Sequence, residues 1–128
     1  MESLNLSDSV IFGGFKTNVQ EYMFAMDAFV FPSKFEGLGI VLIEAQASGL
    51  NSYTSKYVVP DEAKVSHLLE YISLDEKPEI WAEKIIQKLF NRENVYDEIK
   101  EKGYDIKDTA KLLEDFYIRS EKSDEKEI

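Results

Sequence analysis

The chain has 128 residues, of which 44% are hydrophobic and 31% charged, a composition typical of one globular domain with a modest core. It contains no cysteine and a single histidine, which excludes disulfides, thiolate metal sites, a cysteine nucleophile and a histidine-rich metal site. The formal net charge is −10 and Lys and Arg form no cluster, so nucleic acid is excluded as an expected partner, because phosphate binding requires a basic patch.

The first half of the chain predicts two short strands, each followed by a helix. Residues 10–12 form an apolar run that ends at two glycines, and residues 19–26 follow it as a helix. Residues 28–31 form a second apolar strand that ends at a proline, and residues 33–37 form a loop. Residues 39–48 are apolar on nearly all sides, which predicts a buried helix that ends at a glycine.

The second half predicts two more strands and three helices. Strands are expected at residues 52–55 and 69–74. A helix with a proline in its first turn is predicted at residues 78–90, and further helices at residues 93–102 and 107–119. Short strands that alternate with helices indicate an α/β fold.

We therefore expect a parallel sheet of about four short strands flanked by helices. The sequence places one domain at residues 1–119 and a charged C-terminal tail at residues 120–128. Ligands of such sheets bind in the crevice beyond the carboxyl ends of the strands. The loop that follows Phe31 is therefore the expected ligand-binding loop.

Two carboxylates, Glu36 and Glu44, lie in the stretch FPSKFEGLGIVLIEAQASG, residues 31–49, which contains this loop and the helix predicted after it. Glu36 precedes the expected start of the helix, where unpaired N–H groups favour phosphate. Glu44 follows Gly39 by five residues, which is roughly 8 Å along a helix axis. A nucleotide sugar along this helix would place its diphosphate at the helix N-terminus, its sugar near Glu36 and its ribose near Glu44.

Simpler interpretations of the same residues stay open on spacing alone. Glu36 is also a favourable charge at the positive end of a helix dipole. Glu44 could lie on a solvent-facing stripe with Gln46 and Ser48. His67 has no carboxylate or second histidine at ligand spacing, so we interpret it as a structural or surface residue.

The stretch from Asn18 to Leu50 resembles the donor-binding half of retaining GT-B glycosyltransferases with the E-x7-E motif. Glu36 and Glu44 match the two motif glutamates, AFVFPS matches the preceding strand and EAQASG the end of the motif. VVPDEA and LEYISL resemble a later part of these domains in bacterial capsule and exopolysaccharide enzymes. The resemblance implies the C-terminal, nucleotide-sugar-binding part of such an enzyme, with a partial Rossmann-like sheet.

The same resemblance implies the roles of individual residues. Glu36 is the implied catalytic residue. It would contact the donor sugar and position it, without transferring a proton. The amides of Gly37, Leu38 and Gly39 would meet the sugar and phosphate, and Glu44 would hold the ribose. The implied substrate is a nucleotide sugar such as a UDP-sugar, with no metal and no cofactor.

The chain also departs from the family's pattern. The family's acceptor-binding domain, glycine-rich loop and Arg/Lys pair for the diphosphate have no counterpart here, and the nearest cations are Lys16 and Lys34. Asn51 stands where the family usually has proline. We therefore expect a donor-binding part that transfers sugar to a polysaccharide or glycolipid but is inactive alone. The alternative is a non-catalytic remnant or split-gene subunit that acts through another chain.

The expected partners follow from the incomplete sheet. In the family, strands equivalent to residues 10–13 and 28–31 are separated by strands absent here, so these two must pair directly or recruit a partner's strand. An open edge also favours a homo-oligomer, beside a missing N-terminal domain or partner chain. The longest apolar run, residues 40–43, is too short to span a membrane, and no secretory signal is visible. We expect a cytoplasmic chain, peripheral at most to the inner membrane face.

Overall fold

A computed structural model of the chain describes the backbone of residues 4–124 and the side chains of residues 4–119. The helices and strands follow one another in the order α1 (Val19–Ala25), β1 (Phe29–Phe31), α2 (Ile40–Ala47), β2 (Ser52–Ser55), β3 (Leu69–Ile72), α3 (Pro78–Gln87), α4 (Tyr96–Glu101) and α5 (Ile106–Asp124). A short 3-10 turn, Asp61–Ala63, lies between β2 and β3.

The three strands form one parallel sheet in the order β1, β2, β3. Phe29 is opposite Ser52, and Ser52 is opposite Leu69, so the strands start level with one another. All three carboxyl ends therefore meet at one edge of the sheet. This confirms the predicted α/β class and brings the loops after β1 and β2 together.

The strand predicted at residues 10–12 is absent, so the sheet has three strands and not about four. Val10, Ile11 and Phe12 are 39%, 93% and 81% exposed, and β1 pairs only with β2 among the described residues. A strand needs a neighbour to satisfy its backbone groups, and the described chain offers none beside residues 10–12. The expectation that this segment pairs directly with β1 is wrong.

The last helix, α5, is longer than predicted and is not packed into the core. It reaches Asp124 instead of ending near residue 119, and residues 125–128 of the predicted tail lie outside the described residues. Its apolar stripe remains exposed, with Ile106 at 77% and Leu113 at 54%. Within residues 4–124, no helix combines the length and apolar character that crossing a membrane requires.

The core lies on both faces of the sheet. On one face, Leu42 of α2 packs in a cluster with Val59, Ala63 and Leu69. This cluster also contacts partly buried aromatic residues of the strands, namely Phe29, Phe31 and Tyr71. On the other face, Trp81 of α3 covers Tyr53 and Ile72. The sheet therefore holds α2 in a fixed position.

A buried glutamine joins α2 to the chain between β2 and β3. The Gln46 side chain is fully buried and donates to the carbonyls of Leu42 at 2.9 Å and Ala63 at 2.8 Å. Its oxygen accepts from the amides of Val65 at 3.2 Å and Ser66 at 3.0 Å, and from the Ser66 hydroxyl at 3.1 Å. A buried polar side chain is tolerated when its hydrogen bonds are made, and these bonds fix residues 63–66 against α2.

The side chain of Arg92 caps the C-terminal ends of α1 and α2. Arg92 donates to the carbonyls of Met23, Phe24 and Met26 at the end of α1, at 2.9, 3.1 and 2.6 Å. It also donates to the carbonyl of Ser48 at the end of α2, at 2.6 Å. A cation is favourable at helix C-termini, where the last carbonyls have no partners within the helix.

Candidate functional site

The loop after β1 carries Glu36 to the start of α2. Ser33 stabilises the loop because its hydroxyl donates to the carbonyl of Phe35 at 2.9 Å. The Glu36 carboxylate is half-buried and accepts a hydrogen bond from the amide of Gly37 at 3.0 Å. Thr54 of β2 donates to the carbonyl of Phe31 at 3.0 Å, which ties the end of β1 to its neighbour.

Gly39 begins α2 in a conformation that favours glycine. Its φ is +72°, in the left-handed region, and an added Cβ would lie 3.1 Å from Leu42 Cδ1 and 3.5 Å from Glu36 Cγ. In the described part of the chain, no side chain caps the first N–H groups of α2. The start of α2 therefore leaves donors for a ligand, with Glu36 in contact distance of the helix start.

A cavity of about 590 Å³ opens between the loops that follow β1 and β2. Glu36 and Gly37 form one side, and residues 56–61 with Tyr71 form the other. Its volume falls in the range of roughly 300–1,000 Å³ that small-molecule sites occupy. The cavity lies at the carboxyl ends of neighbouring parallel strands, where the sequence predicts the ligand.

Hydrogen bonds hold the far wall of the cavity in place. The Tyr71 hydroxyl donates to the carbonyl of Pro60 at 2.8 Å, and the amide of Lys56 donates to the carbonyl of Ile72 at 2.9 Å. Burial raises the pKa of Tyr71, and the charges of Asp61 and Glu62 raise it further. The base of this wall is therefore fixed and carries a negative potential.

Lys56 and Tyr57 form the rim of the cavity, and neither is among the predicted site residues. Tyr57 has φ +66° and is 87% exposed, and the Lys56 ammonium lies 4.8 Å from the centre of its ring. The signal that could have found them is their position directly after β2, since Glu36 likewise lies in the loop after the neighbouring β1.

The predicted site residues fall into two groups. Glu36 and Gly37 line the cavity, whereas Leu38 and Gly39 lie between it and α2, Leu38 being 37% exposed and Gly39 buried. Glu44 lies further along α2, half-buried and outside the lining of the cavity. Among the described residues, its carboxylate has no hydrogen-bond or ion-pair partner.

The structure revises two expectations from the sequence, namely the solvent-facing stripe proposed for Glu44 and the cations nearest to the site. Gln46 is fully buried, so it does not share a solvent-facing stripe with Glu44. The neighbours of Glu44 one turn away, Ile40 and Ser48, are at least partly exposed, so Glu44 does face the more open side of α2. The sequence predicts Lys16 and Lys34 as the nearest cations. In the structure Lys16 lines a separate cavity, Lys34 is not among the residues that line the candidate cavity, and the cation that does line it is Lys56.

His67 has carboxylate partners that its sequence neighbourhood did not indicate. Its ring contacts Glu98 at 2.7 Å and Glu93 at 3.1 Å, and its amide donates to Glu98 at 2.9 Å. The hydrogen bond to Glu98 raises the pKa of His67 most; burial lowers it and the bond to Glu93 raises it again, with a net increase. Within the described residues, no group of three or more His, Asp or Glu has the arrangement of a metal site.

The family model described as glycosyl transferases group 1 matches residues 1–106. The chain is 35% identical over 123 residues to "Putative glycosyltransferase EpsF" of Bacillus subtilis (strain 168), covering 92% of this chain and 32% of that protein. It is 40% identical over 45 residues to the lipopolysaccharide core biosynthesis mannosyltransferase LpsB of Rhizobium meliloti (strain 1021), covering 35% of this chain and 13% of that protein. No solved structure matches the chain significantly.

Proposed function

The chain belongs to the glycosyl transferases group 1 family, and we propose that it is the donor-binding part of a retaining glycosyltransferase. It would bind a nucleotide sugar such as a UDP-sugar whose glycosyl group is transferred to a bacterial polysaccharide or glycolipid. The chain spans about a third of the length of its relative from Bacillus subtilis. We therefore propose that the isolated chain binds donor but needs an acceptor-binding partner for transfer.

The observation that carries this proposal is the juxtaposition of Glu36, the uncapped start of α2 and the cavity. The N–H groups at the start of an α-helix favour the diphosphate, and Glu36, which lines the cavity, precedes the first residue of that helix start, Gly39, by three residues. The unpartnered, half-buried carboxylate of Glu44 is suited to accept hydrogen bonds from the two ribose hydroxyls. Leaving the half-buried carboxylate of Glu44 without a partner is unfavourable for folding, and a ligand would offset that cost.

The proposed reaction needs little proton chemistry from this chain. The bond between the anomeric carbon and the diphosphate oxygen breaks, and the leaving diphosphate takes the electron pair. An acceptor hydroxyl forms the new bond on the same face of the sugar, and its proton passes to the departing diphosphate oxygen. Glu36 positions the sugar, and the N–H groups at the start of α2 stabilise the charge of the departing diphosphate. We propose that no metal or cofactor takes part.

An NMR titration of the full chain with UDP and with UDP-glucose tests donor binding. We expect chemical shift changes centred on residues 37–44, and a weaker response in Glu44→Ala. The matched control is Glu83→Ala, which removes an exposed glutamate from the distant helix α3. Absence of any response at millimolar UDP, or equal weakening in both variants, would contradict the proposal.

A second candidate function is association with another chain without catalysis. It is favoured by the outer edge of β1, which has no partner strand among the described residues, and by exposed apolar residues at 10–12. Analytical ultracentrifugation tests it. A concentration-dependent dimer that Val30→Lys in β1 disrupts would support self-association, and a strict monomer would count against it. Sugar transfer restored by an added acceptor-binding chain would instead indicate a split enzyme.

A further inference from the structure

We propose that the wall of the cavity formed by Lys56, Tyr57 and Asp61 is a glycosyl subsite, in which one neutral hexose ring stacks on Tyr57. The inference deepens the proposed function and rests on it for the source of the sugar, which is either the donor or the acceptor. It assigns sugar selectivity to the loop after β2, in addition to the glutamates and glycines of the loop after β1. Three observations carry it.

The first observation is the charge of the lining. Two carboxylates, Glu36 and Asp61, and one ammonium, Lys56, line the cavity, so its formal charge is −1. The charges of Asp61 and Glu62 also act on Tyr71 at the base of the wall. A diphosphate would enter against this potential. A hexose has only hydroxyls, which can donate to the carboxylates and accept from the ammonium.

The second observation is the exposure of the aromatic ring. Tyr57 is 87% exposed at the rim of a cavity, and the Lys56 ammonium lies 4.8 Å from its centre. The side chain therefore adds little to the core, and most of its surface is open to a ligand. A hexose ring presents an apolar face of C–H groups, which gains by covering an aromatic ring.

The third observation is the backbone of Tyr57. Its φ of +66° lies in the left-handed region, which bulky residues rarely adopt. The loop holds it there because the amides of Lys56 and Val59, on either side, bond to the carbonyls of Ile72 and Ser55. Strained residues that the surrounding structure enforces concentrate at ligand sites. Here the strain presents the ring at the mouth of the cavity.

The experiment is an NMR titration of the full chain with the methyl α-glycosides of glucose, galactose and mannose, up to high millimolar concentration. We expect at least one glycoside to shift the amides of residues 56–61 in a saturable way. Tyr57→Asn should weaken that binding about fivefold or more, since asparagine tolerates the left-handed conformation but has no ring. Tyr57→Phe should retain the affinity of the unmodified chain, because it keeps the ring.

The matched control is Phe90→Asn. Phe90 is also an aromatic residue at φ +66° and is 81% exposed, but it lies outside the lining of this cavity. We expect this variant to bind the glycoside as the unmodified chain does. Equal weakening in both asparagine variants would overturn the subsite, and so would the lack of a saturable response to all three glycosides. Inorganic pyrophosphate, as the anionic probe, should not shift residues 56–61 in preference to the glycosides, and the reverse result would also overturn it.

The two proposals fail separately. A UDP response at residues 37–44 without any glycoside response at residues 56–61 would leave donor binding intact and remove the subsite. A glycoside response at residues 56–61 without a UDP response at residues 37–44 would support the subsite and contradict donor binding. Where both occur, the source of the sugar follows from competition: a donor subsite requires UDP-glucose to displace the glycoside, and an acceptor subsite requires the two to bind together.

Discussion

The two ends of α2 use their polar groups in opposite ways. At the C-terminal end, the carbonyl of Ser48 accepts from Arg92 at 2.6 Å and the carbonyl of Gly49 accepts from Glu93 at 3.4 Å. The nearby Gln46 side chain makes five hydrogen bonds to protein groups and is fully buried. At the N-terminal end, Ile40 is 64% exposed and no side chain among the described residues caps the helix.

The difference separates the part of the helix that stabilises the fold from the part that is available to a ligand. Unsatisfied buried groups destabilise a protein, so they are rare where only stability is selected. The C-terminal end of α2 follows that rule in the bonds of Gln46, Ser48 and Gly49. The N-terminal end leaves N–H donors without a side-chain cap beside a cavity, which favours a binding role. Substitutions at the two ends should therefore affect different properties.

The largest effect on stability is expected from Gln46→Leu. Leucine cannot accept from the buried amides of Val65 and Ser66 or donate to the carbonyl of Ala63. Each buried group left without a partner costs about 1–3 kcal/mol, so we expect a loss of at least about 3 kcal/mol in the free energy of unfolding. Urea unfolding followed by the fluorescence of Trp81, the chain's single tryptophan, measures it.

Ser66→Ala is the matched control for that network. It removes the hydroxyl that donates to Gln46 and accepts from the amide of Leu68 at 3.3 Å, but it leaves the bonds between Gln46 and the amides of Val65 and Ser66 in place, so the expected loss is about 1–2 kcal/mol. If Gln46→Leu cost no more than Ser66→Ala, the network would not be what fixes this end of α2.

The second prediction compares alanine at the two glycines that flank α2. Both have positive φ, +76° at Gly49 and +72° at Gly39, so alanine costs about 1–2 kcal/mol at either from the backbone alone. At Gly49 the new Cβ would also lie 2.6 Å from the carbonyl oxygen of Glu93, which must move. At Gly39 it meets a methyl group of the buried Leu42 side chain at 3.1 Å, which needs to shift by only a few tenths of an ångström.

Gly49→Ala should therefore lower the free energy of unfolding by at least about 1 kcal/mol more than Gly39→Ala, as judged by urea unfolding of both variants. Equal losses would indicate that the backbone at Glu93 moves away from the new Cβ at as little cost as the Leu42 side chain does. That outcome would remove the contrast between a fixed and an open end of α2.

The alternation of strands and helices was enough to predict the α/β fold and five of the helices to within a few residues at most ends. Local patterns reveal a helix whose hydrophobic period is clear, as in α5, and a buried helix that is apolar on nearly all sides and ends at a glycine, as in α2. The prediction of a strand at residues 10–12 was wrong, because an apolar run forms a strand only where another strand can pair with it. Strand pairing depends on residues far apart in the sequence. The satisfied amide of Gln46 was hidden for the same reason, since its partners are up to 20 residues away.

The site was predictable where it is continuous in sequence. Glu36 and Gly37 do line a cavity at the carboxyl end of β1, and their roles stay predictions. The other half of that cavity, residues 56–61, lies on a different loop and has no recognisable spacing to Glu36. The carboxylate partners of His67, Glu93 and Glu98, are likewise brought to it only by the fold.

A smaller effect on stability is expected from the protonation of His67. This residue lies near the C-terminal end of α2, because its neighbour Ser66 bonds to Gln46 and its partner Glu93 bonds to Gly49. The two carboxylates raise its pKa in the folded chain above its usual value of about 6.5, so its contribution to stability is fully present below about pH 6.5. It is lost as the pH rises through the raised pKa. The side chain is 54% exposed, so solvent screening keeps the effect small.

Thermal unfolding of the unmodified chain and of His67→Gln at about pH 6 and about pH 8.5 tests this. We expect the stability difference between the two proteins to be larger at the lower pH. Both values lie above the range in which Glu98, whose pKa is lowered chiefly by its bonds to His67, becomes protonated. A difference that grows with pH would contradict the sign.

The smallest effect on stability is expected from Glu44→Gln, on the open side of α2. The carboxylate of Glu44 has no partner among the described residues, so its replacement should leave the free energy of unfolding within about 0.5 kcal/mol. UDP affinity should fall about tenfold, because a hydrogen bond to a charged group contributes about 1.5–3 kcal/mol and glutamine is neutral. Glu83→Gln on α3 should change neither property, as measured by urea unfolding and UDP titration. A loss of stability with unchanged UDP affinity would make Glu44 a structural residue, and Glu36 would then be the one of the two carboxylates still assigned to the donor.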